Sequence, residues 1–599
     1  MLAAMATPPT PAAHARQVAP TCDRTTGRAR QRDDACPGAL RLHAADDGAL
    51  ARVRIPGGVL DSGQARALAD LAQRLGDGAL HLTSRGNVQF RGLPADCGAD
   101  LADALTTARL LPSAAHERVR NIVASPLSGL DGHGHRDIRP WLTELDRLLC
   151  ADDAVRALSG RFLFALDDGR GDVAALGADV TLLASVPGAG PPGAGSGTRT
   201  APGTPDVGLL RCGDAPHAVS VAAPDAPRAA LLAATAFLEA AHEHGIRAWR
   251  VRDLPEGARE FTRRVVRRLT GAGLPVRADD VPVALPAGSA RPDAAAPGTV
   301  PYPYPAPTPY PRSAPASDDL ARPGTTADTQ TGTSADVQRG AVTDAQAGTS
   351  ADGPTAASAD GPPQSPRTDK YLPEPPYEDA SLVVLAPLGR ASAAGFRLLA
   401  DLADRAGGGE LRVTPWRSVV VPRVPADQVA TALAELRAAG LVTEPDSPWR
   451  GVSSCAGRPG CAKSLADVRG DAAATLRAPD GASAGVPHAA ATPLEGTGVE
   501  AGHTALPVHW SGCERRCGRP TGDRVDVVAG PDGYRVTVVH GAGAAGDGTP
   551  EESPVSPAAP ASLVSPGSPV PPVSPSDLAA TVAAARVVAA AAGVRQTDE

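Results

Sequence analysis

Aromatic side chains are scarce in this sequence: 17 of 599 residues, and five of the six tyrosines (Tyr302, Tyr304, Tyr310, Tyr371, Tyr377) fall in one stretch. Cores must therefore be built from Leu, Val and Ala. Lysine is almost missing, with Lys370 and Lys463 against 56 arginines. A GC-rich genome accounts for that bias in general, yet any anion site here has to be an arginine site. The planar guanidinium fork suits carboxylates, because it can bond both oxygens. Positive charge is not in excess: the net charge of −8 gives no reason to propose nucleic acid or an anionic membrane as partner. No apolar run reads as membrane-spanning, since the most apolar stretch, near 577–594, is Ala-rich and carries Arg586. The opening MLAAMATPPTPAAHARQ lacks the continuous apolar segment of a signal peptide. These absences lead to the expectation of a cytoplasmic protein with no membrane partner. Its nine cysteines would stay reduced, and clustered ones would serve as metal ligands before they served as disulfides.

Glycine and proline are abundant instead. Their 64 and 61 residues make about a fifth of the chain, against a usual share of roughly 12%, so part of the chain is linker. The expected organisation is a disordered leader over 1–35, a half-domain over 36–110 and an α+β domain over 111–284. A low-complexity linker follows over 285–378, containing VPYPYPAPTPYP and the repeats GTTAD and GTSAD. Such a segment cannot bury enough apolar surface to offset its ordering entropy. A second half-domain is expected over 379–445 and a cysteine-bearing domain over 446–540. A further linker over 541–575 and an Ala-rich helix within 576–599 complete the chain. A Gly/Pro/Ser/Thr stretch at 187–205 reads as a surface loop, and amphipathic helices are expected near 226–244 and 257–270.

An internal repeat organises the patterned regions. RALADLAQRLGDGALHLTSRGNVQFRGLPAD (66–96) aligns without a gap to RLLADLADRAGGGELRVTPWRSVVVPRVPAD (397–427), an offset of 331. Each copy reads as strand, helix and two short strands. In the first copy Asp61 is a good N-cap, and Leu68, Leu71, Ala72 and Leu75 share a helix face. Leu80, Leu82, Val88 and Phe90 form the apolar strand set, while His81, Thr83, Gln89 and Arg91 alternate with them and Arg85 sits at the turn. The second copy keeps the apolar set as Leu411, Val413, Val419 and Val421, but has Trp416, Val420 and Pro422 where the first has Arg85, Gln89 and Arg91. The expectation is one shared scaffold with a single cationic, hydrogen-bonding face, on the first copy. A merely solvated strand face is the plain alternative.

Four cysteines form two pairs in the second half: Cys455 and Cys461 in SSCAGRPGCAKS, Cys513 and Cys517 in HWSGCERRCGRP. One helical turn would bring Cys513 and Cys517 to one face, and the Gly/Pro-rich setting would let the backbone aim N–H groups at sulfur. Four thiolates suit an iron–sulfur cluster. Zinc sites usually place two to four residues between paired cysteines, which one spacing fits and the other does not. Spacing alone leaves iron–sulfur, zinc and no metal open. The other five cysteines (Cys22, Cys36, Cys97, Cys150, Cys212) read as ordinary thiols.

The duplicated half, T-x-R-G-N-x-Q at 83–89, the Arg120–Asn121 pair and the cysteine pattern together resemble the sulfite/nitrite reductase superfamily. The resemblance implies an α+β fold with two ferredoxin-like half-domains and two α+β cluster or substrate domains. It implies a 4Fe–4S cluster on Cys455, Cys461, Cys513 and Cys517, and in the reductases a sirohaem. Residues resembling Arg85 and Arg120 meet the anion or tetrapyrrole carboxylates, and Arg85, Gln89, Arg91, Arg120, Asn121 and Arg161 are the implied substrate-binding set. Sulfite and nitrite reductases carry an R-K-F-K-like segment. Here the corresponding stretch is LSGRFLFALDDGRGD (158–172), in which Arg161 replaces one lysine and Leu163 the other. An apolar residue at a proton-delivering position argues against a multi-proton reduction.

This departure resembles the precorrin-3B synthase branch, of the aerobic cobalamin pathway. That likeness implies an oxidoreductase of monooxygenase type that hydroxylates precorrin-3A and closes a lactone. It further implies O2, an electron donor (NADH or a reductase) and a mononuclear non-haem iron, for which His81, His116, His133, His135 and His509 are the candidate ligands. No residue is assigned as catalytic acid, base or nucleophile. A sirohaem-dependent sulfite or nitrite reductase, and a non-catalytic iron–sulfur protein, are the alternatives.

Overall fold

The structure, a computed structural model, describes residues 34, 36–185, 207–282, 298–301, 379–445, 447–477, 506–520, 523–539, 552–554, 578 and 581–583. The expected leader apart from Asp34, the loop at 187–205, most of both linkers and most of the C-terminal helix lie outside the described residues. The described residues all fall in one compact unit.

The first half is built from β1 (His43–Ala45), β2 (Gly48–Val53), β3 (Val59–Asp61), α1 (Ser62–Leu75), β4 (Ala79–Leu82), β5 (Val88–Leu93) and α2 (Gly98–Thr107). Asp61 starts α1 as a reciprocal cap: its carboxylate accepts the Gln64 N–H at 2.7 Å, and the Gln64 side chain accepts the Asp61 N–H at 3.0 Å. Leu68, Leu71 and Ala72 are buried as the pattern predicts. Each fully buried leucine contributes about 1.5–3 kcal/mol.

The α+β domain that follows contains β6 (Ile122–Ala124), α3 (Arg139–Ala151), β7 (Phe164–Asp167), β8 (Val180–Ser185), β9 (Val207–Cys212), β10 (His217–Ala222), α4 (Ala226–Glu243), α5 (Gly257–Gly271) and β11 (Val276–Pro282). Its sheet runs β11-β10-β9-β8-β7-β6, parallel among β6, β7 and β8 and antiparallel beyond. The few aromatics concentrate here: Phe162, Phe164, Phe237 and Phe261 pack edge to face or tilted in its core.

The second half repeats the first as β12 (Gly298–Pro301), β13 (Asp379–Leu385), β14 (Arg390–Ser392), α6 (Ala393–Arg405), β15 (Glu410–Val413), β16 (Ser418–Pro425) and α7 (Ala426–Ala438). Ser392 caps α6 through the Gly395 N–H, at the position Asp61 holds in the first copy. The two halves exchange strands. β14 joins β4 to complete one sheet (β1-β2-β5-β4-β14), and β3 joins β15 in the other (β12-β13-β16-β15-β3). His81 faces Arg390, and Arg412 faces Val59, each pair being the other shifted by 331. The crossing requires glycine on both sides. A Cβ on Gly58 would lie 1.8 Å from the Val413 carbonyl oxygen, and one on Gly389 would lie 3.0 Å from that of Leu82. The backbone keeps the symmetry even where side chains do not: Gly86 and Arg417 both have φ of 65°. A single core of leucine, valine, alanine and phenylalanine runs through both halves.

The last domain contains β17 (Val452–Ser454), α8 (Val468–Arg477), β18 (Val508–Ser511), β19 (Arg524–Gly530), β20 (Gly533–Val539) and β21 (Glu552–Pro554). Its sheet repeats the parallel, parallel, antiparallel order seen along β6, β7, β8 and β9. Leu578 and Val582, from the expected C-terminal helix, pack against it. No helix among the described residues is long and apolar enough to cross a membrane.

Candidate functional site

The alternating strand set of the first half faces a cavity of about 230 Å³ whose far wall is the last domain. His81, Thr83 and Gln89 reach it from β4 and β5, and Arg52 from β2. Leu388, Gly389 and Arg417 enter from the second half, and Cys455, Arg469 and Cys517 from the last domain.

Arginine dominates the electrostatics. Burial, opposed by Cys36 and reinforced by Arg161, pushes Arg52 below its ordinary value. Burial and then Arg52 and Arg85 push the neighbouring Arg54 down to about 9. Burial and then Arg250 and Arg52 bring Arg85 to about 10, and burial and then Arg469 bring Arg417 to about 10. Guanidinium groups keep their protons at neutral pH, so these mutually repelling cations call for anions. Arg52 and Arg469 each hold a buried Nε that lacks a hydrogen-bond partner. Arg469 is oriented by His81, whose Nδ1 lies 3.3 Å from an Arg469 nitrogen while its Nε2 lies 2.9 Å from Asp77.

The implied substrate-binding set is only partly brought together. Gln89 lines the cavity and accepts from Arg52 at 2.9 Å. Arg91 also reaches it, but most of its fork is engaged by Asp47 and by the Gly460 carbonyl. Arg85 does not line the cavity, but Arg250 and Arg52 lie within its field. Arg120 is buried in a bidentate pair with Asp146 (2.8 and 2.7 Å). Asn121 bonds Asn87 and the Phe162 carbonyl and joins the first half to the α+β domain. Arg161 is exposed and stacks over Trp249 at 4.3 Å. Leu163 is buried among Val123, Ala165, Val173 and Ala178, against Trp416.

Sequence reasoning did not single out Arg52, Arg417 or Arg469. Arg52 lies in the expected first strand on the same side as Gln89, so strand alternation could have found it. Arg417 corrects the expectation that the second copy adds no charge to the face. Trp416 occupies the position of Arg85, but the next residue, where the first copy has Gly86, sends its guanidinium into the cavity.

Of the candidate iron ligands, His81 is held as described. His116 bonds Ser113 and the Asp152 carbonyl, and His509 bonds Ser453 and the Cys517 carbonyl. All three have both ring nitrogens engaged. His133 and His135 lie in the loop beside Asp168.

Cys455 and Cys517 line the cavity, and Cys461 and Cys513 lie near enough to act on Cys517. Cys455 follows β17, donates its N–H to the Trp510 carbonyl and accepts the Gly512 N–H on sulfur at 3.3 Å. The Leu465 N–H bonds the Gly512 carbonyl, tying the two cysteine loops together. Cys513 and Cys517 are joined by turns, with Arg516 at φ 45°. The expected helical face is therefore absent, and the pair comes together through a left-handed turn. Burial pushes the Cys517 thiol up, and Cys455, Cys513 and Cys461 add to it against Arg515. Among the described residues no three His, Cys, Asp or Glu side chains converge on one point closely enough for a metal ion. A cluster makes a different demand, one thiolate per iron around a volume, and four thiols with an N–H aimed at sulfur fit it.

The nitrite/sulfite reductase ferredoxin-like half domain matches at residues 43–108 and 376–439. A precorrin-3B synthase of Sinorhizobium sp is 34% identical over 157 residues, 26% of this chain and 33% of that protein. A ferredoxin–nitrite reductase of Synechococcus elongatus is 26% identical over 494 residues, 79% of this chain and 74% of that protein. The structure of the Mycobacterium tuberculosis NirA protein shares the fold, with a TM-score of 0.50 at 17% identity over 84% of this chain and 77% of that one. With its half-domain present twice, strands exchanged between the copies and Cys455 and Cys517 at the cavity edge, the chain is similar in fold and in its repeated half-domain to the nitrite/sulfite reductases.

Proposed function

We propose that the chain is an oxidoreductase of the precorrin-3B synthase type, whose cavity receives the acidic edge of a tetrapyrrole. The observation that carries the reading is the set of cavity cations, Arg52, Arg417 and Arg469, with two buried Nε groups still to be bonded. A precorrin bears several acetates and propionates, which match guanidinium forks in charge and geometry. An open cavity of about 230 Å³ suits one edge of the macrocycle, not the whole ring. Leu163 leans the same way: it stands where the resemblance places a lysine of the reductases, and its apolar surroundings carry no proton donor.

Cys455, Cys461, Cys513 and Cys517 would hold the cluster, which when bound supplies electrons. In this reading one oxygen atom of O2 enters a meso carbon and the other leaves as water, with two electrons from an external donor such as NADH or a reductase and two protons from solvent, and an acetate closes the lactone. The chain's own residues bind and orient: Arg417 from the second half and Arg469 from the last domain grip carboxylates, His81 and Asp77 hold Arg469, and Gln89 holds Arg52.

The longer match to the nitrite reductase favours a second reading, a sirohaem-dependent reductase. An optical spectrum with pigment extraction on anaerobically purified protein separates the two. Broad iron–sulfur absorption without an isobacteriochlorin band, followed by oxygen-dependent turnover of precorrin-3A, is the expected outcome. A bound sirohaem together with reduction of nitrite or sulfite would overturn it.

A further inference from the structure

The turn between β1 and β2 carries two adjacent aspartates, and both reach the cysteine-bearing domain. Asp46 accepts the N–H of Ala462. Asp47 takes two arms of Arg91, from Nε and Nη2, both at 2.8 Å, and Arg91 Nη2 also donates to the Gly460 carbonyl at 2.6 Å. Gly460 and Ala462 flank Cys461. A Cβ on Gly460 would lie 2.7 Å from both Arg91 Nη2 and Asp47 Oδ2, so a side chain there would push against the Arg91–Asp47 pair. Arg91 is 5% exposed. Its counterpart in the second half, Pro422, has no side-chain donor.

Cys455 depends on none of this, because the Trp510 carbonyl and the Gly512 N–H hold it from its own domain. The carbonyl of Cys461 accepts the Ser464 N–H, and Leu465 ties the far side of its loop to Gly512, but the residues on either side of Cys461, Gly460 and Ala462, are bonded by the first half. Lysine could not replace Arg91, since a point charge cannot bond both oxygens of Asp47 and a carbonyl in fixed directions.

We propose that Asp46, Asp47 and Arg91 are positioning residues for Cys461, a clamp through which the ferredoxin-like half sets the geometry of the cysteine loop. The proposal rests on reading the four cysteines as cluster ligands, but its first test does not. The full chain, reduced and stripped of metal, is pulsed with iodoacetamide, and alkylation is mapped by mass spectrometry in Arg91→Lys and Asp46→Ala. Cys461 should react about tenfold faster, the loss of a charge-assisted hydrogen bond, while Cys455, Cys513 and Cys517 stay within about twofold. Unchanged Cys461, or equal acceleration of all four thiols, overturns the clamp. Asp46 lies exposed on a turn, so Asp46→Ala carries the test should Arg91→Lys fail to fold. Reconstitution then separates the two readings. A chain that assembles an iron–sulfur cluster with Cys461 indifferent to both substitutions refutes the clamp alone. A chain that shows the Cys461 effect yet takes up no cluster refutes the ligand reading alone. With both correct, Arg91→Lys retains its iron and shifts the electron paramagnetic resonance signal of the reduced cluster.

Discussion

The two halves share a backbone, yet one faces a cavity and the other a plug. Shifted by 331, Arg52 becomes Val383, Gln89 becomes Val420, and His81 becomes Arg412. Against Val383 and Val420 pack Leu127 and Leu130, all four buried. Arg412, 2% exposed, faces no open space: its Nε bonds Glu410 at 2.6 Å, and its Nη1 bonds the carbonyls of Pro126 and Ser128 at 2.7 and 2.8 Å. The plugging segment follows β6 as the Cys455 loop follows β17. Ser125 and Asp131 have the same six-residue separation as Cys455 and Cys461. On this side, Ser125 bonds Asp172, and Arg170 bonds Asp131 and Asp168. One duplicated frame therefore supports two solutions. Where thiols stand, a cavity is left among the arginines; where hydroxyl and carboxylate groups stand, leucines and the protein's own carboxylates and carbonyls fill the face.

The largest effect that would break this comparison is at the thiols. Cys513→Ser should remove most or all of the iron–sulfur absorption, because a serine oxygen is a far weaker ligand for cluster iron than a thiolate. Circular dichroism should show the half-domains still folded, since Cys513 belongs to none of the hydrophobic cores. A full-strength cluster in this variant would remove the difference between the two loops.

Next in size is the plug. Arg412→Gln leaves Glu410 half-paired and two carbonyls short of a donor. Breaking a buried pair from one side costs about 3–5 kcal/mol. Urea unfolding of the variant should show that loss, and a change below about 1 kcal/mol would mean that the second side is not held closed by Arg412.

The sequence made the duplication legible because the apolar positions of α1 and α6 and of the paired strands had to keep their period in both copies. It made the cysteine loops legible because their spacing is local. The exchange of β3 and β14 was not legible, since pairing between strands some 330 residues apart leaves no mark in either strand's own pattern. Arg120 and Asn121 looked like ligand residues, but their partners, Asp146 and Phe162, lie 26 and 41 residues away. Only the fold shows that both are spent on holding it. Arg417 was hidden by alignment: matching positions compares Trp416 with Arg85, whereas the cavity compares what the turn projects, and there the neighbouring residue wins.

Arg417→Gln sharpens the contrast at the smallest scale. On the plugged side an arginine is part of the fold, and its removal should destabilise. On the open side Arg417 is pushed down by burial and by Arg469, so its removal relieves repulsion. The expected melting temperature is unchanged or slightly raised. Binding of a stable polycarboxylate probe, uroporphyrin, should weaken about tenfold or more, the worth of a lost charge-assisted hydrogen bond. The octamethyl ester of the same ring should bind wild type and variant alike, because it offers no carboxylate. A variant that melts well below wild type would place Arg417 in the fold beside Arg412. Equal loss of the acid and the ester would mean that the cavity reads the ring and not its charge.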